Sequence, residues 1–430
     1  MITTTEVAPL MAISTAGSPT SVCSSSIDAV EDHLLPSSLA AEELQLALNK
    51  EAGEVELETA IVRCKDLVLE CDQCSPERKW IVRHLIELRL RLQECKEALL
   101  DPQHPRNLSS GVSTRTVLGH HLVLQPLLTN SSRYCDHCTG SIWSVVQAWY
   151  KCQDCGYSCH HKCMASIVRE CAHVTISERG SYEIDICPEI GLSAQKYQCA
   201  ECRAPLPIDS NWSEARRCDY TGLYYCSACH WGSSAVIPAR IVHNWDFLPQ
   251  LVCQASLQLL KITAHRPLIS LEKLNPQIFT LVHELSLVKR LRGELNGMRK
   301  YLLVCRSAIE DHLIWKNIDK PHIIESPNLY SLQDLVDIQT GELLTKLHLW
   351  LHTFSEHIKI LCEICKGRGH ICEVCSNKQV LFPFEENASI CTECSVVLHK
   401  NCALRKKNCP KCLRLEQRKL SVEDNANNVI

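Results

Sequence analysis

The sequence lacks the features of a membrane-spanning, secreted or nucleic-acid-binding protein. None of its apolar runs approaches the roughly 18 residues that a membrane-spanning helix needs. Its 45 Lys and Arg residues are offset by 49 Asp and Glu residues, so no global basic surface attracts nucleic acid. Residues 1–10 show no basic start followed by an apolar run. We therefore expect no secretory signal and a cytoplasmic, reducing environment.

Two common enzyme motifs are also missing. The chain has no Gly-x4-Gly-Lys-Ser/Thr loop, so it is not expected to bind GTP itself by the usual route. It also has no His-Glu-x2-His pair of the kind found in zinc proteases. The sequence therefore offers no catalytic residue, and we expect a protein that is not an enzyme.

What the chain does contain is 29 Cys and 20 His residues, with most cysteines after residue 134 arranged as C-x2-C pairs. In a reducing compartment such pairs hold metal more often than they form disulfides. The pair Cys71 and Cys74 has no second half nearby and is not expected to bind metal. We interpret the cysteines outside the regular spacing as small buried hydrophobic residues. These are Cys23, Cys64, Cys95, Cys253 and Cys305.

Composition and periodicity divide the rest of the chain. Residues 1–60 are predicted to form a disordered acidic tail, residues 61–116 a helix and linker, and residues 419–430 a second disordered tail. An amphipathic helix is predicted over Pro76–Leu100, with a charged face opposite its apolar one. An apolar stripe with a period of 3.6 residues predicts one long helix over 276–308, and another helix is predicted over 340–360.

Eight potential zinc ligands form a first metal motif, within a segment that we place at residues 117–175. They are His121, Cys135, Cys138, Cys152, Cys155, His160, Cys163 and Cys171. Because a structural zinc ion takes four ligands, the series predicts two interleaved tetrahedral sites. This spacing resembles the C1 zinc finger, the phorbol-ester/diacylglycerol type, which is a small α+β module.

The resemblance implies how the eight ligands pair. One zinc ion takes His121, Cys152, Cys155 and Cys171, and the other takes Cys135, Cys138, His160 and Cys163. His120 competes with His121 for the first position, since the loop before Cys135 is slightly long for either. Diacylglycerol-binding C1 fingers carry a Pro and a Gly-x3-Gln-Gly stretch, where this chain has Ser132, Ser144, Ala148 and Trp149. We therefore expect a docking or scaffold role for this finger rather than diacylglycerol binding.

A second metal region occupies the C-terminal half. Its final part supplies ten candidate ligands: Cys362, Cys365, Cys372, Cys375, Cys391, Cys394, His399, Cys402, Cys409 and Cys412. An upstream part supplies six more: Cys199, Cys202, Cys218, Cys226, Cys229 and His230. Sixteen ligands would fill about four tetrahedral sites if both ends of the region share at least one zinc ion. The hypothesis is a helical segment clamped between two metal clusters that touch.

The ten-ligand series, with Phe382-Pro-Phe-Glu385 between its halves, resembles the Rubicon-homology domain over residues 185–418. Three stretches add to the match: Cys218-Asp-Tyr-x-Gly-Leu-Tyr-Tyr, Ile237-Pro-Ala-Arg-x4-Trp245-Asp-Phe247 and Leu329-Tyr-Ser-Leu-Gln-Asp-Leu335. A C1-type finger directly before this domain is similar to the "differentially expressed in FDCP 8" family, whose larger relatives are Rubicon, Pacer and the pleckstrin-homology family M adaptors. The implied fold is a mostly α-helical domain flanked by zinc knuckles.

The same resemblance implies a function. It implies an adaptor that binds a late-endosomal Rab GTPase in its GTP state and acts in lysosome positioning and endolysosomal or autophagic trafficking. It also implies cooperation with a pleckstrin-homology family M adaptor and peripheral recruitment to late endosomes and lysosomes.

Two other interpretations of the metal motifs stay open. Cys372 to Cys412 also fit a C4HC3 cross-brace of the RING or PHD type, which would indicate a ubiquitin ligase. The C1-type finger could instead make the chain a lipid-targeted scaffold. In either case we expect the zinc to be structural, because each set already has four protein ligands and leaves no position for a catalytic water.

Overall fold

The computed structural model describes residues 52–107, 114–126, 133–143, 146–187, 190–206, 215–375, 377, 379–406 and 408–427. Most of the predicted acidic tail, residues 1–51, lies outside these described residues. The chain divides into two compact units, Met1–Leu100 and Asp101–Ile430. In the described part, no helix combines the length and apolar character needed to cross a membrane.

The described part of the first unit is a helical hairpin. Helix α1 spans Glu54–Glu70 and α2 spans Pro76–Leu100, the latter as predicted. Their facing sides bury one small core: Leu57, Ala60, Ile61, Cys64, Leu67, Ile81, Leu85 and Leu88. The expectation that the tail extends to residue 60 is wrong from Glu54 onward. Acidic residues favour a helix N-terminus, and the Glu56 carboxylate accepts a 2.9 Å hydrogen bond from the N–H of Gly53.

The second unit begins with a small antiparallel β module. Its strands are β1 (Thr114–Val117), β2 (His120–Leu124), β3 (Arg133–Tyr134), β4 (Ser141–Ile142), β5 (Trp149–Cys152) and β6 (Ser158–His160). Four of them pair in the order β1-β2-β5-β6, while β3 pairs with β4. The register places Leu122 opposite Cys152 and Trp149 opposite His160. The short helix α3 (Ala172–Arg179) closes this module and ends at Gly180, whose φ of 68° suits glycine.

Two small β-ribbons and two helices follow. Strand β7 (Arg216–Arg217) pairs with β8 (Tyr224–Tyr225), and β9 (Ser234–Ala235) pairs with β10 (Gln250–Leu251). Helix α4 spans Pro238–Asn244, and α5 spans Gln254–Thr263. Pro238 occupies the first turn of α4, where the missing N–H has no partner to lose.

The middle of the chain is helical, but the predicted 276–308 rod is broken. Short helices α6 (Leu271–Leu274) and α7 (Ile278–Leu281) precede α8 (His283–Leu302), and α9 (Arg306–Glu310), α10 (Leu313–Asn317) and α11 (His322–Glu325) follow. The backbone is extended at Val282 and again at Cys305. The buried stripe itself is confirmed within α8 at Leu285, Val288, Leu291, Leu295, Met298 and Leu302.

The last helices of the middle lead into the C-terminal module. Helix α12 (Leu332–Gln339) begins with a Ser331 capping box, and α13 (Glu342–Glu356) continues as a π-helical turn, His357–Leu361. The module contains α14 (Glu363–Gly367), β11 (His370–Ile371), β12 (Val380–Leu381), β13 (Ala388–Ile390), β14 (Val397–His399), α15 (Lys400–Arg405) and α16 (Pro410–Asn427). The expected disordered tail from residue 419 is therefore helical as far as Asn427.

One hydrophobic cluster runs from the strands of the first module through the helical middle to Phe384. Buried residues of the sheet, such as Trp149, belong to the same cluster as Leu259 of α5 and Phe354 of α13. Helix α8 lies beside the C-terminal module at Gly297, where an added Cβ would come 2.6 Å from the Cβ of Phe384. The glycine therefore permits a close approach that no other residue would allow.

The two glycines of α8 give a matched pair of variants. We expect Gly293→Ala to raise the free energy of unfolding by up to about 1 kcal/mol, because alanine favours helix and nothing lies near its Cβ. Gly297→Ala should lower it by about 1–3 kcal/mol, because Phe384 must move. Denaturant unfolding of the full chain measures both, and a stabilising Gly297→Ala would contradict the packing described.

Candidate metal centres

Group 1 lies between β2, β5 and the start of α3. Its members are His120, Cys152, Cys155 and Cys171. All four residues are buried, and their donor atoms lie within 4.8 Å of one another. The His120 Nδ1 atom lies 3.2 Å from the Cys155 sulfur, while its Nε2 donates to the Arg169 carbonyl at 3.1 Å. That second bond orients the ring with Nδ1 toward the thiols.

His120, and not His121, is the histidine of group 1. Residues of a strand alternate between its two faces, so neighbours in β2 point in opposite directions. His120 and Leu122 are buried, whereas the His121 side chain is 56% exposed and pairs with Asp154 at 2.6 Å. The predicted ligand His121 is thus corrected. The alternation was readable from the apolar Leu122 two residues after His120.

Group 2 joins the β3–β4 ribbon to β6. Its members are Cys135, Cys138, His160 and Cys163, as the C1 resemblance implied. The His160 Nδ1 atom lies 3.4 Å from the Cys138 sulfur, and its Nε2 donates to the Ser141 carbonyl at 3.2 Å. A hydrogen bond from Cys163 lowers the pKa of Cys135 to about 3, against the opposing effect of burial. A thiolate is the form that binds metal.

Group 3 is a ribbon formed by two C-x2-C pairs. Its members are Cys199, Cys202, Cys226 and Cys229. The sulfur atoms of Cys202 and Cys226 are 3.6 Å apart. A hydrogen bond from Cys229 lowers the pKa of Cys199 to about 4, although burial opposes the shift.

Cys218 and His230, predicted as ligands, make other contacts. The Cys218 sulfur lies 3.5 Å from the Ser256 hydroxyl, and its pKa is lowered to about 5, chiefly by a hydrogen bond from Cys253. Both ring nitrogens of His230 bond to backbone: Nε2 donates to the Arg217 carbonyl at 3.2 Å, and Nδ1 accepts from the Gly232 N–H at 3.1 Å. The structure therefore places neither residue in group 3, which has its four donors without them.

Group 4 was not predicted in this form. Its members are Cys305, His357, Cys362 and Cys365, all buried. The Cys305 sulfur lies 3.4 Å from His357 Nε2 and 3.6 Å from the Cys362 sulfur. Cys305, interpreted from the sequence as a simple core residue, is instead one of four donors that lie together. The hypothesis that the two ends of the region share a zinc ion is also corrected. The pair Cys362 and Cys365 lies with donors of the helical middle and not with the upstream ligands. Ten ligands fill two four-ligand sites and leave two over, and this remainder was the sequence signal that further donors lie elsewhere in the chain.

Groups 5 and 6 interleave in the C-terminal module. Group 5 consists of Cys372, Cys375, His399 and Cys402. Group 6 consists of Cys391, Cys394, Cys409 and Cys412, with sulfur distances of 3.7 Å for Cys391–Cys412 and 3.4 Å for Cys394–Cys409. Pairs alternate along the chain between the two groups, so the module is a cross-brace, as are groups 1 and 2.

The donor geometry suits tetrahedral structural zinc. Four sulfur ligands about 2.3 Å from a zinc ion are about 3.8 Å apart along each edge of their tetrahedron. The sulfur–sulfur distances quoted for groups 3, 4 and 6 are 3.4–3.7 Å. Thiol and imidazole donors are also the ligands that zinc prefers in such sites. These clusters are therefore arranged as structural zinc sites are.

Comparison with known proteins adds a family context to this geometry. The Rubicon Homology Domain pattern matches residues 216–417, and the phorbol esters/diacylglycerol binding (C1) domain pattern matches residues 120–174. The predicted fold class is confirmed: a small α+β C1-type finger precedes a largely helical Rubicon-homology domain with Cys/His clusters.

Three relatives show how far the similarity extends. The Drosophila melanogaster protein "Differentially expressed in FDCP 8 homolog" is 43% identical over 406 residues, which cover 90% of this chain and 81% of that protein. The Caenorhabditis elegans protein of the same name is 38% identical over 310 residues, covering 70% of this chain and 64% of that protein. Human "Pleckstrin homology domain-containing family M member 3" is 35% identical over 232 residues, covering 54% and 30%.

Two buried cysteines with different roles test group 4. We expect Cys305→Ala to remove bound metal and to lower the free energy of unfolding by about 4 kcal/mol or more, as loss of a structural metal does. Cys253 is equally buried and accepts a hydrogen bond at the start of α5, so Cys253→Ala should keep all metal and cost about 1 kcal/mol. Elemental analysis and denaturant unfolding distinguish them. Equal metal content in the two variants would exclude Cys305 as a ligand.

Proposed function

The chain belongs to the "Differentially expressed in FDCP 8 homolog" family, and on that premise we propose that it is a non-enzymatic adaptor that binds an active late-endosomal Rab GTPase. The observation that carries the proposal is the order of its modules: a C1-type finger followed by a Rubicon-homology domain. In this proposal the adaptor acts in lysosome positioning and in endolysosomal and autophagic trafficking.

The architecture supports binding rather than catalysis. Each group brings together four protein donors, so an ion held there has no free position for substrate or water. The metal would instead replace part of the hydrophobic core that modules of this size lack. The helical body between groups 3 and 4 then serves as the binding surface for the GTPase.

Each of the six groups is proposed to hold one Zn²⁺ ion, two in the finger and four in the C-terminal domain. The ligands are the donors of groups 1 to 6, with His120, Cys305 and His357 among them. Elemental analysis of the full chain should then give six zinc ions per molecule. His120→Ala should lower that number toward five or weaken retention against a chelator, because it removes a donor.

His121→Ala is the matched control for this count, because the neighbouring histidine is exposed and pairs with Asp154. It should retain as much zinc as the unmodified chain. Zinc loss from His121→Ala alone would reverse the assignment. Fewer than six ions in the unmodified chain would contradict the stoichiometry.

Membrane recruitment is proposed to be peripheral and shared between partners. A pleckstrin-homology family M adaptor is the proposed second partner, in line with the similarity to member 3 of that family. Residues 399–420 carry eight Lys and Arg against one Glu. Near an anionic leaflet, such charges each add about 1 kcal/mol of attraction.

The Rab proposal is tested by capture with the full, zinc-loaded chain. A panel of Rab GTPases is immobilised, each loaded with a non-hydrolysable GTP analogue or with GDP. We expect selective capture by a late-endosomal Rab in the GTP form. Cys305→Ala should lose this capture, because the variant destabilises the helical body. Cys253→Ala is the control that should still bind. Capture of the zinc-loaded chain that is independent of nucleotide, or no capture at all, would refute the proposal.

A ubiquitin ligase is the second candidate, because groups 5 and 6 form the cross-brace that RING fingers use. Its support is weaker. RING modules are self-contained, whereas here Phe384 packs the module onto α8 at Gly297. The Rubicon Homology Domain pattern also continues through it to residue 417.

A further inference from the structure

A buried ion cluster joins the C1-type finger to the Rubicon-homology domain. Its centre is Arg169, which is 5% exposed and follows the last strand of the finger. The guanidinium donates to Glu201 at 2.7 Å and to Gln258 of α5 at 3.3 Å, and lies 3.5 Å from the Asp136 carboxylate. The central carbon of the guanidinium lies over the Tyr157 ring, 5.4 Å from the ring centroid.

The partners of Arg169 belong to three of the metal groups or lie next to their members in the chain. Its own carbonyl accepts the hydrogen bond from His120 of group 1. Asp136 directly follows Cys135 of group 2, and its carboxylate accepts from the Ser158 N–H at 2.8 Å. Glu201 lies between Cys199 and Cys202 of group 3. The side chain and the backbone carbonyl of Arg169 thus contact residues in or next to all three groups.

Within the cluster, Glu201 is ion-paired with Arg169. The second carboxylate oxygen of Glu201 is buried and has no hydrogen-bond partner among the described residues. Arg169 is therefore the cation that offsets this buried charge, and an unpaired charge away from water is strongly unfavourable. Gln258 strengthens the link, because it also donates to Asp136 at 3.1 Å.

Two further contacts cross the same boundary. The Tyr182 hydroxyl donates to the Thr263 carbonyl at the end of α5, at 2.7 Å, and Arg266 lies 3.4 Å from His173 of α3. Apolar residues of the finger and of the helical body also belong to one buried cluster. The boundary therefore has the continuous packing of a domain interior and not the loose contacts of tethered modules.

We propose that the finger is a permanently docked part of the Rubicon-homology domain, and that Arg169 is the ionic link through which groups 1, 2 and 3 stabilise one another. Loss of metal from the finger then loosens the group 3 ribbon and α5, although neither contributes a ligand to the finger. The finger stabilises the domain and does not act as a separate lipid-binding module. The proposal is independent of any Rab partner.

Hydrogen exchange of the full, zinc-loaded chain, read by mass spectrometry, tests the coupling. For Arg169→Met we expect exchange to rise about tenfold in the finger and also in residues 198–206 and 254–263. The control is Arg179→Met, which removes an arginine whose side chain is 60% exposed and should change none of these segments. An increase confined to the finger would overturn the proposal.

Two more variants keep the test decisive if Arg169→Met unfolds the chain. Glu201→Gln keeps the side-chain shape but removes the charge, and should raise exchange in the finger as well as in group 3. Cys152→Ala removes a group 1 ligand and should raise exchange in 198–206 and 254–263, but not in 388–402 of the C-terminal module. Exchange that stays local in both variants would show that the finger and the domain are energetically separate.

Discussion

A tetrahedral metal site needs four donors at one point, and the second unit of the chain brings four donors together in each of the six groups. Group 4 shows this requirement most clearly. Helix α8 stops at Leu302, and the extended backbone at Cys305 turns that thiol toward the Cys362 pair. A π-helical turn brings His357 to the same point. A straight rod over 276–308 would have carried Cys305 past the site.

The helical body is in turn held together by polar contacts that α8 makes with the chain around it. Arg292 is fully buried and donates to four backbone carbonyls between His322 and Leu329, with its guanidinium over the Tyr330 ring. Asp334 lies at the start of α12; burial raises its pKa, but hydrogen bonds from His322 and the Ser331 N–H and the charge of Lys320 more than reverse this and lower it. These contacts stabilise the loop between α11 and α12.

The C1-type finger and the C-terminal module each bring their donors together by a cross-brace, in which two groups interleave along a short stretch of chain. In each, a ligand pair of one group is followed along the chain by a pair of the other, so neither group can form without ordering the segment between them. The two modules differ in how they join the body. The C1-type finger does so through the buried charges around Arg169, whereas the C-terminal module does so through Phe384 against Gly297.

The sequence by itself determined the C-x2-C pairs of groups 2, 3, 5 and 6, the helix at Pro76–Leu100 and the stripe of α8, because spacing and periodicity act within a few residues. Tertiary structure decided the remainder. Long-range contacts with Cys155 and the Arg169 carbonyl hold His120 in group 1, and two backbone hydrogen bonds occupy His230. Cys305 and Cys253 look alike in the sequence as buried thiols. Only the fold, which brings His357 and Cys362 to one and Cys218 to the other, separates a member of a four-donor group from a core residue.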